Sequence, residues 1–460
     1  MGTDNNTENT GSNKKAIFLE NFSAFTHRNF RYYWGGLLVS IVGCWMQYTA
    51  QSWLVITMTN SPLKLGLLGS AQFVPILIFS LFAGAIIDHL PKRQIIFVTQ
   101  FISMLMAILL TVLTFYKIIE YWHILLLSFI LGIINSIDLP ARQSYIVELV
   151  NKKEMISAIS LNSTVFNLAR IAGPILAGVI MAEMDIAWCF LLNALSFTAF
   201  LYGLHRIGKR LPENRPSLSL ISLRKKFRLG NLLLEIKDGL LYIYSNQLLY
   251  RSVVILFILG VLGFNFNILI PLLTKDILFL GEKGLGVLWG ALGAGSLLGA
   301  LCASNINAII RPSIKAIVIY AILMSITLMM IGFDDFGGSE NKYAYSIILL
   351  FLCGLFSMWL ATTATSLMQL NTQDQYRGRV MSVYTLVFAG TTPLGNFITG
   401  LIAEHIHARF AFICNGLGTI IIMIIFLVLW KQEDAPIFIT YQRWKKIALQ
   451  TVVTIIQKLF

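Results

Sequence analysis

A single cation, Arg170, stands inside an otherwise apolar run at residues 158–181. A guanidinium at that depth needs an anion or water. Asp138 and Asp88 are the nearest acidic candidates by topology. Arg170 therefore reads either as a ligand for an anionic molecule or as a brace between neighbouring helices. Polar residues recur at helical spacing in other apolar runs. Gln47, Tyr48 and Gln51 share one side of the first, and Ser128, Asn135 and Asp138 lie along the fourth. Ser163 and Asn167 lead up to Arg170, Asn265 and Asn267 interrupt the seventh, and Trp359, Thr362, Thr363 and Ser366 line the tenth. Buried polar groups are costly in lipid, so such stripes face a bundle interior or a wet cavity. For each hydroxyl or amide an interhelical hydrogen bond competes with cavity lining. Together with Trp45, the set suits a roomy polar–aromatic pocket for an organic molecule. The residues expected to line it are Gln47, Tyr48, Gln51, Asn135, Asn167, Arg170, Asn265, Trp359 and Thr362.

Catalysis is poorly provided for. Among the six histidines only His405 and His407, beside Glu404, are clustered, whereas a membrane acyl or glycosyl transferase wants a His or carboxylate cluster. No GxxxxGK[ST] loop is present, so the chain carries no ATP-driven motor of that type. The piece Gly293-Ala294-Gly295 imitates a dinucleotide fingerprint, but it lies inside an apolar run with no preceding strand. Cys44, Cys189, Cys302, Cys353 and Cys414 are scattered without CxxC spacing and read as packing residues. Neither a metal site nor a cofactor is expected. Every Asp and Glu reads as lying in a loop or near the end of a run. Coupling to protons would then use interfacial groups, Asp138 first and Arg170 with it.

The elements that position these residues follow from composition. Of 460 residues 57% are hydrophobic and 12% charged, with mean hydropathy +0.74. A water-facing surface needs about 25% charged residues, so the chain is read as an all-α integral membrane protein. Its net charge of +13 does not point to nucleic acid, because the cations sit in short loops and form no basic domain. Stretches of about 20 apolar residues give twelve spans: 32–56, 65–87, 95–116, 122–138, 158–181, 187–204, 252–273, 285–304, 316–332, 344–364, 380–402 and 410–430. With both termini in the cytoplasm, 28 of the 35 Lys and Arg fall inside and six outside, a bias that strongly favours that orientation. The expected organisation is a polar, disordered N-terminus (1–25) without a signal peptide, and a six-helix half (26–205). A basic linker (206–250), a second six-helix half (251–431) and an amphipathic tail (432–460) on the cytoplasmic interface follow.

The halves echo one another. Ser80-Leu-Phe-Ala-Gly84-Ala resembles Ser296-Leu-Leu-Gly299-Ala, and Gly173-Pro174 with Glu183 is echoed by Thr392-Pro393 with Glu404. Gly173-Pro174 should bend the fifth span as a hinge, with Gly178 and the run Gly290, Gly293, Gly295, Gly299 allowing close helix contact. At the end of span two, Gly84-Ala-Ile-Ile-Asp88-His-Leu-Pro-Lys92-Arg93 resembles the loop between helices two and three of the major facilitator superfamily. Further strings are Asn29-Phe30-Arg31, Trp45-Met46-Gln47, Pro140-Ala141-Arg142-Gln143 to Glu148-Leu149-Val150, Asn167-Leu168-Ala169-Arg170 to Gly173-Pro174, and Arg377-Gly378-Arg379-Val380-Met381-Ser382. From about residue 25 to 430 they resemble that superfamily's enterobactin-exporter-like or transmembrane secretion effector branch.

The resemblance implies a major facilitator fold of two six-helix halves with a substrate site between them. It implies a cytoplasmic latch made by Gly84, Asp88, Lys92, Arg93, Arg142, Arg377 and Arg379, in which Asp88 complements the start of span eleven. It also implies secondary active export by alternating access, with a siderophore or similar secreted metabolite as cargo. Multidrug or macrolide-type efflux and siderophore uptake are the alternatives. Expected partners are the small-molecule substrate, the lipid bilayer and H+ as coupling ion, in a monomer in the cytoplasmic (inner) membrane of a bacterium. The chain departs from the family pattern at His89 and Pro91, where arginine and glycine are usual. It departs again at Ser128, where many proton-coupled drug exporters carry arginine.

Overall fold

Where an apolar run meets a residue able to hold free backbone groups, a helix starts. A computed structural model describes residues 22–207, 240–333 and 339–429 of the chain. The tail 432–460, most of the basic linker and most of the N-terminal segment, assigned above from sequence, lie outside the described residues. The first half comprises α1 (Arg28–Thr59), α2 (Pro62–His89), α3 (Lys92–Phe115), α4 (Tyr121–Leu149), α5 (Met155–Glu183) and α6 (Ile186–Arg206). In the second half are α7 (Gln247–Leu262), α8 (Phe266–Leu272), a π-helical turn (Leu273–Ile277), α9 (Glu282–Ile309) and α10 (Ile314–Gly332). They are followed by α11 (Ser339–Leu370), α12 (Asp374–His405) and α13 (Ala408–Leu429). Asp185 caps α6 by accepting the Ala187 N–H, Asn246 caps α7, and Ser313 accepts the Ala316 N–H at the start of α10.

Eleven spans among the described residues are long and apolar enough to cross a membrane, α7, α8 and the π turn counting as one. The 32-residue α1, with its polar stripe, supplies the twelfth. Several helix pairings of the first half recur in the second. Spans one and five pack together, as do seven and eleven; three packs on four and six, and nine on ten and twelve. This is the internal duplication that the echoing strings indicated.

Two boundaries differ from the sequence expectation. Span four does not stop at residue 138: α4 runs through Pro140 to Leu149. Proline removes one backbone bond, but Ala141, Tyr145, Ile146 and Leu149 beyond it are buried against α1 and its neighbours, with Tyr145 edge-on to Tyr33 at 5.9 Å. Burial of that face outweighs the lost bond. Span seven, expected as continuous, breaks between Leu262 and Phe266, where Asn265 turns its side-chain amide back onto the Val261 carbonyl at 2.7 Å.

The described chain divides into two compact units. One holds residues up to Thr59 and Ala71–Phe227; the other holds Asn60–Ser70 and the chain from Arg228 onward. In the second unit, glycines let α9 and α11 touch backbone to backbone. A Cβ on Gly295 would collide with the Phe351 carbonyl oxygen, and one on Gly354 with that of Leu292. Backbone cannot swing aside, so Gly295→Val is expected to cost about 1–3 kcal/mol. The thermal unfolding midpoint of the purified protein checks this, with Gly281→Ala, which faces open space, expected to be neutral.

Candidate functional site

In the first unit, α5 brings Arg170 to α1. The crossing is set one turn further on at Gly173, where a Cβ would lie 2.5 Å from Trp45 Cβ and 2.9 Å from the Val42 carbonyl oxygen. Only glycine permits that approach. Pro174 follows inside α5, which runs on through it to Glu183, and deprives the helix of one backbone bond. The Arg170 guanidinium carbon lies 5.8 Å from the Trp45 ring, and Trp45 meets Tyr48 edge-on at 5.9 Å. Arg170 Nε is buried with no hydrogen-bond acceptor among the described residues.

The other residues of the expected pocket have different surroundings. Gln47 is 4% exposed, and its amide oxygen accepts the Asn193 amide at 2.6 Å, while Asn193 in turn holds Ser196. That is a helix-to-helix bond rather than an open donor set. Gln51 accepts from Gln72 at 3.4 Å and leaves its own amide nitrogen unpaired. Asn135 is exposed, Asn167 donates to the Ser163 carbonyl at 3.0 Å, and Ser128 is fully buried. In the second unit Asn265 is wholly buried at the α7–α8 break. Thr362 bonds back to the Met358 carbonyl, and Trp359 packs between Tyr320 and Phe356 with its indole N–H unpaired.

Asp138 belongs to a polar network that composition alone does not reveal. It lies inside α4, not at a span end, and is 2% exposed. Thr99 donates to one carboxylate oxygen at 2.6 Å, Gln100 to the other at 3.1 Å, and Arg142, one turn along α4, pairs with it at 2.5 Å. The Arg142 guanidinium also lies 4.8 Å from the Phe200 ring. The acidic partner that topology offered to Arg170 is thus held by Arg142.

The basic residues of the expected latch are engaged within the first unit. Lys92 pairs with Glu148 at 2.9 Å, and Arg93 donates to the Leu204 and His205 carbonyls at 3.0 and 3.1 Å, closing the C-terminus of α6. Gly84 and Asp88 fall in α2, and the Asp88 side chain is outside those described. In the second unit Arg377 is exposed, and Arg379 lies over the Tyr376 ring, itself stacked on Tyr242 at 4.2 Å.

One contact is encoded by no local sequence pattern. Glu404, near the end of α12, accepts the Ser61 hydroxyl at 2.8 Å and the Leu63 N–H at 3.1 Å. Ser70 donates to the Pro393 carbonyl at 2.8 Å, and Gly66 lies against the Asn396 carbonyl. The first turns of α2 are therefore capped and gripped by α12, through residues more than 300 positions apart. Thr99, Gln100, Asn193 and Glu148 also join these contacts, outside the expected set of site residues. For Gln100 and Asn193, an amide inside an apolar run was the available clue.

Eleven membrane-length apolar spans among the described residues, with α1 as a twelfth, are those of the major facilitator fold. Among solved structures, that of the nucleoside transporter NupG superposes with a TM-score of 0.66 over 88% of this chain and 100% of that one, at 12% identity. The chain belongs to the transmembrane secretion effector family, which it matches over residues 19–455. It is 27% identical to the staphyloferrin A transporter of Staphylococcus aureus over 405 residues, covering 86% of this chain and 95% of that protein. It is 20% identical to macrolide efflux protein A of Streptococcus pyogenes over 397 residues, covering 85% and 93%. This family and fold are those of multi-pass membrane transporters of small molecules, not of enzymes.

Proposed function

We propose that the protein is a secondary active exporter of a siderophore or similar secreted metabolite in the cytoplasmic membrane of a bacterium. The observation that carries this is the near full-length similarity to the staphyloferrin A transporter. The interior of the first unit supports it, since Arg170, Trp45 and Tyr48 offer charge and ring surface to an organic molecule. Both termini lie in the cytoplasm in this reading, following the positive-inside excess. The chain works as a monomer by alternating access, with α5 bending at Gly173-Pro174 and the loop around Asp88 latching the cytoplasmic side. Proton movement is assigned to Asp138, the buried carboxylate of the first unit that pairs with Arg142. Macrolide-type efflux is the second reading, on the similarity to macrolide efflux protein A.

The test compares metabolites in cells and medium, with and without the gene, under iron limitation. A ferric-binding compound retained in the mutant cells and missing from the medium is the expected result. Unchanged metabolites, with increased accumulation of a cationic dye or a macrolide, would instead establish drug efflux.

A further inference from the structure

Arg142 in α4 and Arg170 in α5, both in the first unit, are treated differently. Arg142 has its counter-charge in Asp138 and a ring at 4.8 Å. Arg170 has the ring but no carboxylate within salt-bridge distance among the described residues, and its Nε is buried without an acceptor. A long cationic side chain in lipid ordinarily extends to the nearest interface. Arg170 instead keeps its Nε out of solvent beside Trp45. The Gly173 crossing with Val42 and Trp45 holds its backbone against α1, so the side chain cannot withdraw with its helix.

A guanidinium whose Nε is buried without an acceptor is costly, and it persists where something else supplies the missing partner. We infer that a carboxylate of the transported molecule is that partner: it closes on the guanidinium edge of Arg170 while Trp45 lies against the group. This rests on the exporter reading and narrows it to organic acids. The chemistry is specific to arginine. The planar fork matches two carboxylate oxygens at once, and an ammonium does not. A cationic drug at the same place would meet like charge, so the inference also separates the proposed cargo from cationic compounds. Carboxylates are hard oxygen donors, which accords with a cargo that binds ferric iron.

The experiment uses the gene-deletion strain carrying the wild-type gene, Arg170→Gln or Arg170→Lys, grown under iron limitation. Mass spectrometry of medium and cell extracts is read alongside membrane abundance of each variant. The compound whose export depends on the gene is expected to contain a carboxylate. Arg170→Gln should lower its medium-to-cell ratio at least about tenfold, the scale of one charged hydrogen bond. Arg170→Lys keeps the cation beside Trp45 and hence any bracing role, so its abundance should stay normal while export still falls. A gene-dependent compound without a carboxylate, or normal export by the Lys variant, overturns the inference. If no compound depends on the gene, the exporter reading fails and takes this one with it.

Discussion

Asp138→Asn is expected to remove most folded protein from the membrane, and a second change, Arg142→Gln, is expected to restore much of it. The carboxylate is buried in α4 with Thr99, Gln100 and Arg142 as its partners. Asparagine can still accept one hydrogen bond, but it leaves the guanidinium, 5% exposed, without counter-charge. Breaking a buried pair by removing one partner costs about 3–5 kcal/mol, whereas replacing both can be close to neutral. Thermal unfolding of the two single variants and the double variant measures this directly. Equal midpoints for Asp138→Asn and wild type would show that the pair contributes nothing. The double variant also addresses coupling. It should exchange substrate down a gradient yet fail to concentrate it against one if Asp138 carries the proton.

Glu404→Ala should loosen the start of α2 without unfolding the rest. Two donors, the Ser61 hydroxyl and the Leu63 N–H, lose their common acceptor, and the helix loses a negative charge at its N-terminus. Hydrogen bonds to charged groups contribute about 1.5–3 kcal/mol and the charge–dipole interaction about 0.3–1. A loss near 2 kcal/mol raises the population of the released state by more than tenfold. Leu65 is 2% exposed. A cysteine placed there, in a variant lacking the five native ones, should react with a maleimide at least several-fold faster once Glu404 is gone. Glu404→Gln retains an acceptor and should fall between. Unchanged labelling in Glu404→Ala would mean that packing of Gly66 and Ser70 on α12 suffices to hold the segment.

Much of the architecture was legible because a bilayer imposes one length scale and one polarity on each span. Twelve apolar runs, their charge-bearing loops and the six-and-six duplication need no tertiary knowledge. The site was less legible. Arg170 stood out because a lone cation in an apolar run is conspicuous, and the Asn167–Arg170–Gly173 spacing put it beside the α1 crossing. The partner of Asp138 was also within reach: Arg142 lies four residues on, on the same helical face. Ending span four before Pro140 hid it, since that proline is tolerated only through burial of the turns beyond. Gln47 and Asn265 show a different limit. An amide in an apolar run says that it needs a partner, not whether a neighbouring helix or a substrate provides it. The Glu404–Ser61 bond joins residues 343 positions apart, and no local pattern encodes that pairing.

That separation bears on biogenesis. The ribosome makes Asn60–Ser70 early, but the unit to which these residues belong is completed only after α12 emerges, some 330 residues later. Until then Ser61, Gly66 and Ser70 lack the groups that hold them, and the second helix enters the membrane with its leading turns unmated. An arrested chain ending in the linker would carry this loose end. Quality-control proteases would have a marker there that distinguishes unfinished from finished transporter.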